Sequence, residues 1–253
     1  MVDEKKLRRI DKEIDSWRMR VKDADHRKTI DEVFDRETLL SVYKLFKDGI
    51  FDTVDFPIST GKEGIIFKCS GPTGGVALKV YRVSTATFKH ITKYIVGDPR
   101  FRGVQKNRKK IIHMWARKEY RNLERMASGG VRVPKPLAYH NNMIAMEYIG
   151  TEEMPAPLLK DVYVESPEQL FDEVLENLKR INDVGLVHGD LSEYNILMSD
   201  STPVIIDVGQ GVPLNHAMAE KWLQRDISNI LRYFRRLGVE AEFEEVHARV
   251  RGG

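Results

Sequence analysis

A chain of 253 residues with 41 basic and 38 acidic side chains has a formal net charge of +3, too balanced to name a partner by itself. The single cysteine, Cys69, excludes an intrachain disulfide framework and a cysteine metal cluster, which fits a reducing compartment. The charged start from Met1 to Arg9 and the lack of any apolar run near the ~20 residues of a membrane span lead us to expect an unanchored cytoplasmic protein.

Residues 1–48 read as a helical extension. Leu7, Ile10, Ile14, Trp17 and Val21 recur at helical spacing. A second helix starts near Asp35, carries Leu39, Leu40, Tyr43 and Phe46, and stops at Gly49. From Thr53 the pattern changes to strands. Val54–Ile58 leads into the loop Ser59-Thr60-Gly61-Lys62-Glu63-Gly64, and Ile65–Cys69 follows. Gly71–Gly75 is a turn, and Val76–Tyr81 is a third strand. Such a glycine hairpin can lay N–H groups over a triphosphate, with Thr60 and Lys62 adding donors, although most glycine hairpins are only turns. Alternation puts Ala77, Lys79 and Tyr81 on one face of the third strand. It does not decide whether Lys79 faces solvent at an edge or reaches a phosphate; the motifs downstream favour the phosphate.

Residues 82–112 form an insertion with a basic run, Lys106-Asn107-Arg108-Lys109-Lys110, and aromatic residues Tyr94, Phe101 and Trp115 nearby. A solvated segment and an RNA- or phosphate-facing arm are both compatible with it. Ile111–Ser128 is a helix whose core stripe is expected at Ala116, Tyr120, Leu123 and Ala127. Glu119 on this helix is either a surface residue or the partner of Lys79. Strands Leu137–His140 and Met143–Ile149 flank the turn Asn141-Asn142, and a linker with Pro155 follows. Backbone groups of Glu147 and Ile149 are placed there to meet a planar base. Ser166 is expected to cap a helix whose buried stripe is Leu170, Val174, Leu178 and Ile181.

The densest signal comes next. Val187-His188-Gly189-Asp190-Leu191-Ser192-Glu193-Tyr194-Asn195 is followed by a short apolar strand and Ile206-Asp207-Val208-Gly209. Two acids and an amide at loop positions suit phosphoryl transfer: Asp190 orients a hydroxyl, and Asn195 and Asp207 hold metal against phosphates. A long helix opening at Asn215 or His216 then runs to Leu237, with Met218, Trp222, Ile227, Ile230, Leu231 and Phe234 as core candidates. Asp226 within it either bonds the loop around Asp190 or pairs with Arg225 or Arg232. A short helix near Glu242–Arg249 ends the chain.

Taken in order, these motifs resemble the protein kinase fold and, more narrowly, the RIO family of atypical kinases in its first, non-winged-helix subgroup. The residues that carry the likeness are Ser59-Thr60-Gly61-Lys62-Glu63, His188–Asn195 and Ile206-Asp207. The resemblance implies an α+β, bilobal fold: a helical extension over 1–48, an N-terminal lobe over 49–150 containing the 82–112 insertion, and a truncated helical lobe over 151–253. It also implies ATP with Mg2+ or Mn2+. In that scheme Asp190 is the catalytic carboxylate, and Asn195 and Asp207 are metal ligands. Lys79, held by Glu119, binds phosphates, and Ser59–Gly64 covers them. Glu147, Ile149, Pro155 and Tyr194 complete the nucleotide pocket. Asp207 is also the residue that accepts phosphate in an aspartyl-phosphate ATPase cycle. The partner implied is the small-subunit ribosomal precursor and its RNA, with no membrane and no assigned oligomeric state.

Gly189 stands where ordinary protein kinases carry arginine, and Ser192 where they carry lysine. Only 44 residues follow Gly209, without an Ala-Pro-Glu motif, so the usual activation segment is not expected. Two other readings use related residues: a small-molecule phosphotransferase of the aminoglycoside or choline kinase type, and a non-catalytic RNA-binding assembly factor.

Overall fold

The structure is a computed structural model that describes residues 36–61, 63–72, 74–83, 91–92, 94–95, 98, 100 and 107–252. The first expected helix, Lys62 and most of the 82–112 insertion lie outside the described residues. The rest is a five-stranded antiparallel sheet followed by a mainly helical half, in the α+β arrangement expected. Among the described residues no helix is long and apolar enough to cross a membrane.

Helix α1 (Arg36–Lys47) packs on one face of the sheet. Its acidic first turn at Glu37 and basic last turn at Lys44 and Lys47 suit the helix dipole. The buried face is Leu39, Val42 and Leu45, while Leu40, Tyr43 and Phe46 are only partly covered. The expected stripe is therefore rotated, because the three-residue spacing 39, 42, 45 is the one that meets Phe51, Val54, Phe67 and Leu78.

The sheet order is β1–β2–β3–β5–β4, from β1 (Thr53–Thr60), β2 (Gly64–Gly71), β3 (Gly74–Tyr81), β4 (Pro136–His140) and β5 (Met143–Glu147). β3 is central. Val76, Leu78 and Val80 enter the core beneath α1, and Ala77 and Tyr81 enter the larger core on the other face. That alternation aims Lys79 into the molecule rather than out of it. Ser59 and Thr60 do not belong to a loop: β1 continues to Thr60, paired with Ile65. The connection shrinks to residues 61–63, closed by Gly61 N–H donating to Gly64 carbonyl at 2.9 Å. Gly64 is required by the sheet itself, since a Cβ there would lie 2.3 Å from the Val80 carbonyl oxygen.

Helix α2 (Arg108–Ser128) starts earlier than its apolar pattern suggests, because Asn107 caps it by accepting from Lys110 N–H at 3.2 Å. Its buried stripe runs through Ile112, Trp115, Ala116, Glu119, Asn122, Leu123 and Met126. Ala127 is exposed and Tyr120 is half-buried against Tyr139, so two of the four expected stripe positions were misplaced.

The second half contains α3 (Pro167–Asp183), the short strand pairs β6 (Leu186–Val187) with β9 (Val212–Pro213) and β7 (Ile196–Ser199) with β8 (Thr202–Ile205), α4 (Ala219–Arg235) and α5 (Phe243–Arg251). Leu170, Val174, Leu178 and Ile181 of α3 are buried as expected. Ser166 makes no side-chain cap bond, and Gln169 bonds Glu173 instead of closing a capping box. α4 begins at Ala219 rather than at Asn215 or His216. His216 instead stacks on Trp222 and accepts from Met218 N–H, which leaves Met218 36% exposed and out of the core.

Candidate active site

Lys79 Nζ lies 2.9 Å from Glu119 Oε1 and 2.8 Å from Asp207 Oδ1. Strand β3, helix α2 and the turn after β8 thus meet at one ammonium group. Lys79 is 7% exposed and Glu119 1% exposed, so the first is no edge lysine and the second no surface acid. Burial works against the lysine charge, yet Asp207 and Glu119 overcome it and hold its pKa above the ordinary value. Burial pushes Glu119 up to about 7, with Lys79 opposing and Asp207 adding to the rise. The Tyr81 ring sits 5.0 Å from the same ammonium.

Asp207 adopts a left-handed backbone, φ 58° and ψ 50°, which begins the short turn Val208–Gln210. The turn folds against α2. Gly209 fits closely there, because a Cβ would stand 3.2 Å from Glu119 Oε2 and Trp115 Nε1 and would push both aside. Asn122, one helical turn beyond Glu119, donates to the carbonyls of Val208 at 2.7 Å and Gly211 at 3.0 Å.

The loop from His188 to Asn195 is held from beneath by α4. Asp226, fully buried, accepts from Gly189 N–H at 2.7 Å and Leu191 N–H at 2.9 Å. Its carboxyl is pushed up to about 7 by burial, against the two N–H groups that favour the charged form. Of the open alternatives for Asp226, the bond to this loop is the one found. Asn229 donates to Leu191 carbonyl at 3.0 Å, and Arg225 donates to Gly189 carbonyl and stands 3.4 Å from Asp190 Oδ1. Gly189 has φ 82°, a conformation that an arginine at this place would strain. His188 is buried and its pKa is lowered by burial. Nε2–H donates to Ile206 carbonyl at 3.1 Å while Nδ1 accepts from Asp190 N–H at 3.3 Å, a neutral ring that spaces the loop from β8.

Asn195 joins the two acids. Its Nδ2 donates to Asp190 carbonyl at 2.8 Å, and its own carbonyl accepts from Ile206 N–H at 3.0 Å, next to Asp207. The bond to Asp190 orients the amide and leaves Oδ1 as an acceptor. Among the described residues no group of three His, Cys, Asp or Glu side chains could hold a metal ion by itself. The Asn195 amide oxygen and the Asp207 carboxylate are hard oxygen donors. They fit Mg2+ or Mn2+ sharing its remaining positions with phosphate oxygens and water.

The other expected residues are placed less uniformly. Ile149 carbonyl accepts from Ala156 N–H at 3.0 Å, whereas its N–H makes no hydrogen bond among the described residues. The Glu147 side chain turns to Arg132, at 2.9 and 3.1 Å, and its N–H donates to Lys135 carbonyl. Pro155 is exposed and bridges Gly150. Tyr194 is 60% exposed, with Lys160 Nζ 5.6 Å from its ring. Ser59, Thr60, Gly61, Glu63 and Gly64 form the β1–β2 hairpin described above.

A family model described as the RIO domain matches residues 65–247. The chain belongs to the RIO family. It is 43% identical over 246 residues to a Haloferax volcanii protein named RIO-type serine/threonine-protein kinase Rio1, covering 97% of this chain and 85% of the relative. It is 40% identical over 226 residues to the protein of that name from Methanocaldococcus jannaschii, covering 89% and 78%. The fold matches the crystal structure of a Rio2 kinase–ADP/Mg2+–phosphoaspartate complex from Chaetomium thermophilum with a TM-score of 0.66. That match has 24% identity and covers 85% of this chain and 66% of the other.

In this RIO chain three residues that shape the site escaped sequence reasoning. Asn122 and Arg100 are polar positions that an apolar periodicity passes over, and Arg225 was visible only as a possible partner of Asp226. Asn122 had one signal, its place three residues after Glu119 on the same helix. Asp226→Ala removes the acceptor of two buried N–H groups and is expected to lower unfolding free energy by about 2–4 kcal/mol, read by urea denaturation. A loss below about 0.5 kcal/mol contradicts the clamp.

Proposed function

We propose that the chain is an ATP-dependent atypical serine/threonine kinase and ATPase that acts on small-subunit ribosomal precursors in the cytoplasm. The observation that carries the enzymatic part is the meeting of Lys79, Glu119 and Asp207 at one buried ammonium. RIO family membership and the names of the archaeal relatives support the reaction class. The ribosomal part rests on the family resemblance, with the basic run Lys106–Lys110 as a candidate contact for RNA.

In this reading Lys79 neutralises α- and β-phosphate charge, and Glu119 keeps its ammonium in place. The N–H of Ile149, which has no hydrogen bond among the described residues, and the carbonyl of Glu147 face the adenine edge, with Pro155 and Tyr194 flanking the pocket. The β1–β2 hairpin, from Ser59 to Gly64, lies over the phosphates. Asn195 and Asp207 hold Mg2+ or Mn2+, which when bound screens the negative charge of the phosphates. Asp190, pinned on one oxygen side by Arg225, orients the acceptor hydroxyl and takes its proton.

Asp207 is also proposed as a phosphate acceptor. One carboxylate oxygen attacks the γ-phosphorus, an O–P bond forms, and the bond from the γ-phosphorus to the bridging oxygen breaks, releasing ADP. Water then cleaves the acyl phosphate to inorganic phosphate and free Asp207. The phosphoaspartate and ADP in the complex of the Chaetomium thermophilum Rio2 kinase support this route.

Incubation with γ-labelled ATP and Mg2+, with and without small-subunit precursors, tests the assignment. Protein-bound label that is released by hydroxylamine and absent from Asp207→Asn is expected. Neither label nor ATP turnover under any condition sinks the enzymatic reading. The Glu119 carboxyl, pushed up to about 7, adds a pH test. Protonation removes the charge that holds Lys79, so turnover is expected to fall as pH drops through about 7. Glu119→Gln should run about 10- to 100-fold slower and, with Asp226 also pushed up to about 7, lose the part of the acid limb that Glu119 contributes. An unchanged acid limb in Glu119→Gln refutes the assignment of that limb to Glu119.

A further inference from the structure

For the insertion between β3 and α2 the sequence leaves a solvated segment and an RNA- or phosphate-facing arm open. Asn107, Arg108 and Lys110 at its end are exposed, but several described residues before them turn inward. Ile91, Tyr94 and Asp98 are buried, and the Tyr94 ring packs between Trp115 of α2 and Trp222 of α4, at 6.1 and 5.1 Å. Arg100 goes further. Its Nε bonds both oxygens of Asp98, at 2.9 and 3.1 Å, and its Nη2 reaches Asp98 Oδ2 at 2.6 Å. With the guanidinium plane fixed in this way, Nη1 donates to Asn122 Oδ1 at 2.8 Å and Nη2 to Gly211 carbonyl at 3.0 Å. Asn122 in turn donates to Val208 and Gly211 carbonyls. Gly211 has no space for a side chain, since a Cβ would stand 2.9 Å from Asn122 Nδ2.

We propose that Arg100 is a positioning residue: it bolts the turn that follows Asp207 to helix α2, and so sets Asp207 and Glu119 at their common distance from Lys79. The inference rests on the phosphoryl-transfer reading of those three residues. Two further observations support it. The chain reaches α4 at Ala219 soon after Gly209, with the β6–β9 pair at Val212 as its downstream hold, so the contacts that tie the turn to α2 are those of Asn122 and Arg100. The bolt also sits over a second buried amine. Lys118 Nζ is 3.8 Å from Asp98 Oδ2 and 4.4 Å from the Trp115 ring, with no hydrogen bond among the described residues, and burial together with the Arg100 charge holds its pKa well below the ordinary lysine value. Asp98 thus faces both Arg100 and Lys118.

A planar guanidinium meets an amide oxygen and a carbonyl at once; a lysine ammonium does so poorly. The test therefore uses Arg100→Ala, Arg100→Lys and Asn122→Ala in the full chain, with Mg–ATP affinity, ATP turnover, melting temperature and amide hydrogen exchange as readouts. Arg100→Ala is expected to lose turnover about 10- to 100-fold while its affinity for Mg–ATP stays within about threefold. Exchange should quicken at residues 207–211 and stay unchanged in β1–β3. Arg100→Lys should restore little, and the double variant with Asn122→Ala should be no slower than the worse single, because both act on one turn. Turnover within about twofold of wild type with unchanged exchange at 207–211 overturns the proposal. So does a loss of activity that comes with faster exchange throughout the chain and full rescue by lysine. If the wild type itself turns over no ATP, the kinase reading fails, and exchange at 207–211 alone decides whether the bolt exists.

Discussion

The buried ammonium of Lys79 is the constraint on which the rest depends. A charge that is 7% exposed is tolerated only with partners, and here the partners lie 40 and 128 residues away in sequence. Removing Lys79 instead leaves the buried Glu119 and the partly exposed Asp207 without their cation, and breaking a buried pair in that way costs about 3–5 kcal/mol. The pairing therefore ties the sheet to α2 and to the turn after β8, and each must be in place for the other two to be stable. The same pairing defines what the site can do. A lysine flanked by two carboxylates is fixed as a cation, and a cation fixed beside a carboxylate that also suits a divalent metal is what the proposed phosphate-binding role requires.

The helical half supports this centre through backbone contacts rather than through a long activation segment. Asp226 holds Gly189 and Leu191, Asn229 holds Leu191, and Asn195 connects the carbonyl of Asp190 to the strand that ends at Asp207. Among the described residues these short connections place Asp190 and Asp207.

Much of the centre was legible because its chemistry is written in short local runs. His188–Asn195 and Ile206–Gly209 could be read directly, whereas alternation along β3 grouped Lys79 with Ala77 and Tyr81 without deciding between an edge and the interior. The Lys79–Glu119 pair was one of two open readings of Glu119 and followed only from the phosphate-binding reading of Lys79; the structure forms it. Boundaries and polar packing were harder. Asn107 starts α2 one turn early by capping it, which no apolar pattern reports. Glu119 and Asn122 occupy the buried stripe, so the hydrophobic period pointed instead to Tyr120 and Ala127. Ser59 and Thr60 looked like loop residues because serine and threonine favour turns, yet cross-strand pairing with Ile66 and Ile65 kept them in β1. Basic charge around residues 100–110 left a solvated segment and an RNA- or phosphate-facing arm open, while Arg100 is drawn inward by Asp98, Asn122 and a carbonyl.

The central claim is that Lys79, Glu119 and Asp207 form one centre for a metal-bound nucleotide. Calorimetric titration of the wild type and of Lys79→Ala with ATP, each with and without Mg2+, tests it most directly. The account predicts one nucleotide per chain, binding that depends on Mg2+, and an affinity at least about tenfold weaker, or about 1.4 kcal/mol, in a folded Lys79→Ala. Equal affinity in the two proteins, or no binding by the wild type, contradicts it.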